Sequence, residues 1–148
     1  MPTSGAEPIR RLVLDTSAYS RFRAGHSSVL DLLASADVVM LPVTVLGELE
    51  AGFAMGRRAL ENRATLTRFL GEPFVTTLPT TAEVARRYGQ IFAKLRQAGT
   101  PIPTNDIWIA AATIDAGAQL LTFDTHFQQV PGLDSTLLDA GPGAGEGR

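Results

Sequence analysis

Short apolar runs alternate with segments of helical period along this chain, and few folds accept that order. "RLVLD" (11–15), "VVMLP" (38–42), "PFVTTLP" (73–79) and "QLLTF" (119–123) have strand length, and prolines or acids close several of them. A fifth and fainter run is "STLLD" (135–139). Between the runs, residues 27–37, 44–56, 57–71, 80–99 and 106–116 are predicted helices. In the fourth of these, Val84, Tyr88, Ile91, Phe92 and Leu95 recur at helical spacing. Ser27 or Ser28 and Thr44 are expected N-caps, and Thr80 with Glu83 has capping-box spacing. Gly71 and Gly99 are expected to close their helices. The alternation predicts an α/β layer fold, with a mainly parallel central sheet of four to five strands flanked by helices.

Parallel sheets of this kind carry functional groups just beyond the carboxyl ends of their strands. Asp15 directly follows the first run and Asp124 the fourth. Glu48 lies in the first turns of the helix after the second run, and Asp106 opens the helix that leads into the fourth. All four acids are therefore expected at one edge of the sheet. Asp106 has an ordinary alternative role, since an aspartate at a helix N-terminus complements the dipole. Yet Thr104 and Asn105 already offer caps, and Asp106 shares a face with Ile109, Ala110 and Thr113, small or apolar residues that pack inward. A carboxylate turned that way needs a partner. Glu48 stands beside the core side set by Val45, Leu46, Leu49 and Phe53.

Other polar residues carry less. Asp31, Asp37, Glu61, Glu72, Glu83 and Asp115 read as exposed faces or turns. His26 and His126 are too far apart to suggest a ligand pair, and His126 reads as a turn residue with an accessory role left open. Trp108 reads as packing or an interface residue rather than a base-stacking platform. No GxSxG elbow and no phosphate-binding glycine loop occur. The chain has no cysteine, which excludes disulfides, thiolate metal sites and a cysteine nucleophile. At 148 residues it makes one domain, expected over 11–139, with a flexible segment at 1–10 and a disordered glycine-rich tail at 140–148. The first residues lack the apolar core of a signal peptide, and no run approaches the roughly 20 apolar residues of a membrane span, so a cytoplasmic location is expected.

Four carboxylates brought together repel unless they protonate or bind a cation. An all-oxygen set selects a hard ion, Mg²⁺ or Mn²⁺. Such an ion activates water and steadies charge on a phosphate, which suits phosphodiester hydrolysis without a histidine or lysine base. Net charge is −2, but with four of the fifteen acids held at a site, thirteen cations face eleven acids elsewhere. Twelve of those cations are arginines, whose forks suit phosphate, although an arginine-rich genome yields the same bias.

The ordered set "LDTSAY", "GELEAG", "NDIWIAA" and "LLTFDTHF", spanning 11–139, resembles the PIN-domain ribonucleases of the VapC toxin type. The resemblance implies a PIN-like three-layer fold and an Mg²⁺- or Mn²⁺-dependent endoribonuclease. It further implies a homodimer silenced by a cognate antitoxin, with RNA, often a tRNA or rRNA site, as substrate. It makes Asp15 and Asp106 the leading metal ligands, with Glu48 and Asp124 completing the cluster. Thr16, Ser17, Thr104 and Asn105 are expected to orient the acids or hold waters, and Arg21 and Arg23 to guide the RNA backbone. Two other readings remain. A phosphoacceptor receiver domain calls for paired acids after the first strand and a late lysine, whereas "LDTS" has one acid and Lys94 is mid-helix. A non-catalytic PIN-like binding module does not require intact acids.

Overall fold

The computed structural model describes residues 8–139. In chain order the elements are β1 (Arg11–Leu14), α1 (Thr16–Arg23), α2 (Ser27–Ala34), β2 (Val38–Pro42), α3 (Val43–Met55), α4 (Ala59–Leu70), β3 (Val75–Leu78), α5 (Ala82–Ala98), α6 (Thr104–Asp115), β4 (Gln119–Thr122) and β5 (Ser135–Leu137). A 3₁₀ turn, Thr125–Gln129, follows β4. The five strands form one sheet in the order β3-β2-β1-β4-β5, and every pairing is parallel. The fifth, faint run is therefore a true edge strand.

Successive residues of a strand face opposite sides, so an unbroken buried run means that both faces are covered. Leu12, Val13 and Leu14 of the central β1 are all 0% exposed, as are Leu120 and Leu121 of β4. The layers therefore hold β1 and β4 rigidly, in the register Val13 opposite Leu120 and Leu14 opposite Leu121. The carboxyl ends of these two strands stop side by side.

Several local expectations change in the folded chain. The pattern of runs and repeats predicts no element over 16–23, yet α1 forms there although "TSAYSRFR" is poor in strong helix formers. Packing supplies what propensity lacks: Tyr19 and Phe22 meet Phe69 with ring centroids 5.6 and 5.0 Å away. Asp15 is consequently not the last residue of a strand but the extended N-cap of α1. His26 rather than Ser27 or Ser28 precedes α2, and Pro42 rather than Thr44 precedes α3, neither with a side-chain cap. Thr81, not Thr80, caps α5 by accepting from Val84 N. Ordered pairing starts one residue before 11: Arg10 N donates to Asp37 Oδ2 at 2.7 Å, and Arg10 O accepts from Asp37 N and Val38 N. Residues 1–7 and the glycine-rich 140–148 lie outside the described residues, and the expectations of flexibility there with them. Trp108 stacks on Tyr88 with centroids 4.1 Å apart, joining α6 to α5. Among the described residues no helix is long and apolar enough to cross a membrane.

Candidate active site

Asp15 is 4% exposed and tied down on both oxygens. Its Oδ1 accepts from Ala18 N and from Ser17 Oγ, each at 2.8 Å, and its Oδ2 accepts from Thr122 Oγ1. The two hydroxyls also accept from the backbone that follows β4. Ser17 Oγ accepts from Phe123 N at 3.1 Å, and Thr122 Oγ1 accepts from Asp124 N at 2.9 Å. Each hydroxyl thus donates a hydrogen bond to Asp15 and accepts one from the backbone after β4. Burial pushes the Asp15 carboxyl above the ordinary aspartate pKa, against the lowering effect of these hydrogen bonds, and the Asp124 charge adds to the rise.

Asp106 lies in the first turn of α6, but it does not cap it: Pro103 holds the cap position, and the Asp106 carboxylate bonds elsewhere. Its Oδ2 stands 3.1 Å from His126 Nδ1. The same ring nitrogen is 3.1 Å from Asp124 Oδ1. Asp124 caps the 3₁₀ turn, accepting from His126 N at 2.9 Å. One ligand atom from each of Asp106, Asp124 and His126 lies within 4.8 Å of the other two. Burial again leads the upward push on the Asp106 pKa; the His126 hydrogen bond opposes it, and the charges of Asp124 and Glu48 reinforce it. The mutual repulsions, Asp15 with Asp124 and Asp106 with both Asp124 and Glu48, place the four acids in one electrostatic neighbourhood.

Glu48 reaches this edge from α3. Its Oε1 accepts from Thr16 Oγ1 at the start of α1, and its Oε2 from Asn105 Nδ2 at 3.2 Å. Thr16, Ser17 and Asn105 therefore each hold an acid. Thr104 does not: it is exposed, and among the described residues its hydroxyl bonds to none of the four. Arg21 and Arg23 part company because they sit two residues apart on one helix. The Arg21 guanidinium lies over the Phe123 ring, 5.1 Å from its centroid. Arg23 instead lines grooves with Tyr19, Leu49, Phe53 and Phe69 between α1, α3 and α4.

One residue of the site, Thr122, escaped the sequence reading, and a second, His126, had only an accessory role left open. Thr122 lies inside an apolar run, where a threonine reads as strand filling; only the pairing of β4 with β1 brings its hydroxyl to Asp15. For His126 the signal was its nearness to Asp124, which left an accessory role open beside the turn reading. An imidazole nitrogen, His126 Nδ1, stands among the carboxylate oxygens. Crowded carboxylates, two with raised pKa values and one nitrogen within reach, form a donor set that a divalent cation satisfies.

The PIN domain family model matches residues 12–133. Ribonuclease VapC4 of Mycobacterium tuberculosis is 31% identical over 128 residues, covering 85% of this chain and 95% of the relative. Ribonuclease VapC2 of Rickettsia felis is 28% identical over 126 residues, covering 82% and 92%. The structure of VapBC2 from Rickettsia felis bound to a DNA fragment from its promoter superposes with a TM-score of 0.77 at 26% identity, covering 87% of this chain and 99% of that one. Matched along most of its length in sequence and in fold, the chain belongs to the PIN-domain family, among its VapC-type ribonucleases.

Proposed function

We propose that this protein is a divalent-metal-dependent endoribonuclease that acts as a toxin and is silenced by a cognate antitoxin. The observation that carries the proposal is the gathering of Asp15, Glu48, Asp106 and Asp124 at the carboxyl edge of a parallel sheet, with His126 between two of them. A cation such as Mg²⁺ or Mn²⁺ supplies Lewis acidity there, neutralising phosphate charge and making water a stronger nucleophile. The chain's own groups do the rest. Asp106 and Asp124 offer the accessible oxygens. Asp15, locked by Ser17, Ala18 and Thr122, holds a fixed negative charge whose ionisation a cation favours. Thr16 and Asn105 keep Glu48 turned toward the cluster. Arg21, stacked on Phe123, would offer a cation to the RNA backbone.

The nuclease unit is read as 11–139. The partner segment fits the groove between α1, α3 and α4, where Tyr19, Leu49 and Phe53 line one stretch and Met55, Leu60 and Phe74 are exposed apolar side chains nearby on α3, α4 and the turn before β3. Support for such a partner comes from the similar fold, which was solved as a VapBC complex. An amphipathic segment would lay its apolar side there, and an arginine at its end would reach the acids. We take the protein to be a cytoplasmic homodimer, a point that light scattering of the purified chain tests.

The test of the activity is cleavage of RNA by purified protein, with and without EDTA, followed by end-group analysis. Hydrolysis by activated water leaves a 5′-phosphate and a 3′-hydroxyl, and the 2′-hydroxyl takes no part. Full cleavage in EDTA, or a 2′,3′-cyclic phosphate product, rules the mechanism out. Binding of RNA without cleavage under any metal turns the reading into a non-catalytic module.

A further inference from the structure

His126 is not an ordinary exposed histidine. Its side chain is 49% exposed, yet its ring nitrogen Nδ1 is directed between two carboxylates, 3.1 Å from Asp106 Oδ2 and 3.1 Å from Asp124 Oδ1. Its backbone is held too. His126 N donates to Asp124 Oδ1 at 2.9 Å, and the next residue, Phe127, is 2% exposed and anchors the 3₁₀ turn in the core. The turn thus fixes the ring beside the acids from both sides of the residue. Only Thr125 separates His126 from Asp124, so any movement that displaces one displaces the other.

The separations suit a coordination sphere. An octahedral ion with bonds of roughly 2.1 Å has neighbouring donors about 3 Å apart. The two distances from Nδ1 match such edges, and they are hydrogen-bond distances as well. One arrangement therefore serves with the ion and without it. In the tautomer whose ring proton is on Nε2, the Nδ1 lone pair would point between the two carboxylates, where such an ion would be held.

We propose that His126 Nδ1 is a nitrogen ligand of the catalytic cation, and that it shifts this site from Mg²⁺ toward Mn²⁺. The inference rests on the metal-dependent reading above. Mg²⁺ favours oxygen and sheds water reluctantly, so it gains little from an imidazole. First-row transition ions accept imidazole readily, and Mn²⁺ is the one among them that also suits carboxylates. Without the ring, the acids form the all-oxygen set in which Mg²⁺ competes best.

Direct binding is measured on the full-length protein, with Mn²⁺ or Mg²⁺ alone as the probe, by calorimetric titration of wild type, His126→Ala and His126→Asn. Asparagine keeps a polar atom near the Nδ1 position but offers no ring nitrogen. Electron spin echo spectroscopy of the Mn²⁺-loaded protein reads coordination itself, since a bound imidazole nitrogen modulates the echo. The expected result is tighter binding of Mn²⁺ than of Mg²⁺ in wild type, with ¹⁴N modulation. Both variants are expected to lose the modulation, and their Mn²⁺-to-Mg²⁺ affinity ratio to fall by about tenfold. Unchanged ratios, or nitrogen modulation that survives in His126→Ala, overturn the inference and leave the metal-dependent reading standing. Failure of the wild type to bind either ion overturns both.

Discussion

The two edges of the sheet differ in charge more than in shape. At the amino edge, Arg10, Arg11, Asp37, Gln119 and Asp134 line an open cleft of about 640 Å³. Cations and acids are mixed there, and the Asp37 carboxylate is already bonded by Arg10 N. At the carboxyl edge, four acids crowd together, and the one basic ring among them bridges two. No carboxyl whose pKa is shifted lines that cleft. At the acidic edge Asp15 and Asp106 are both pushed toward protonation. Burial of carboxyls that also repel one another, not volume, distinguishes the acidic edge.

Substituting one aspartate at each edge tests that contrast most severely. Asp106→Ala is expected to lower the RNA cleavage rate by more than about 100-fold, beyond the usual cost of losing an outer partner of a metal site. Asp37→Ala is expected to leave the rate unchanged and to cost stability of only about 1 kcal/mol, the worth of an exposed hydrogen bond. A large rate loss in Asp37→Ala would erase the distinction between the edges.

A second comparison separates two buried threonines. Thr122 is 1% exposed and Thr113 0%. Thr113 Oγ1 donates only to Ile109 O, inside α6. Thr122 serves Asp15 and Asp124 N together. Thr122→Val should therefore destabilise the protein by roughly 1–3 kcal/mol and reduce cleavage, because Asp15 loses a donor and Asp124 N an acceptor. Thr113→Val should be close to neutral in rate. Denaturant melts with cleavage assays on both variants check this.

The raised pKa values fix a sign for pH dependence. A carboxyl whose folded pKa lies above its unfolded value binds more protons when folded, so stability falls as pH rises from the ordinary aspartate range through the raised value. In EDTA the melting temperature should decline across that window. Added Mn²⁺ should offset the decline, since it binds only the folded state and favours ionised acids. Asp106→Asn should flatten part of the decline, be no less stable without metal, and respond less to metal. An equal metal response in Asp106→Asn removes Asp106 from the ligand set.

The smallest effect compares Arg21 with Arg23. Arg21→Gln should weaken RNA binding and lower its salt slope by about 1, the loss of one phosphate contact. Arg23→Gln, in the groove between α1, α3 and α4, should leave that slope unchanged. Binding measured at several salt concentrations distinguishes them.

Much of the fold was legible because its signals are local. Apolar runs of strand length and helical repeats such as Val84 to Leu95 depend only on near neighbours, and strands alternating with helices admit few arrangements. Acids placed just after strands could be assigned to one edge for the same reason. The α1 helix was illegible because its stability comes from Tyr19 and Phe22 packing on Phe69, nearly fifty residues onward. The four acids and their edge were thus determined by sequence alone, since the direction of a parallel strand decides where its carboxyl end lies. Tertiary structure decided which atoms meet. Thr122 reaches Asp15 only because β4 pairs with β1 in a single register, Leu14 opposite Leu121. His126 reaches Asp106 only because the turn after β4 lies against the start of α6. A shift of one residue along β4 would turn Thr122 to the opposite face and carry Asp124 and His126 away from the acids, and no local pattern encodes that register.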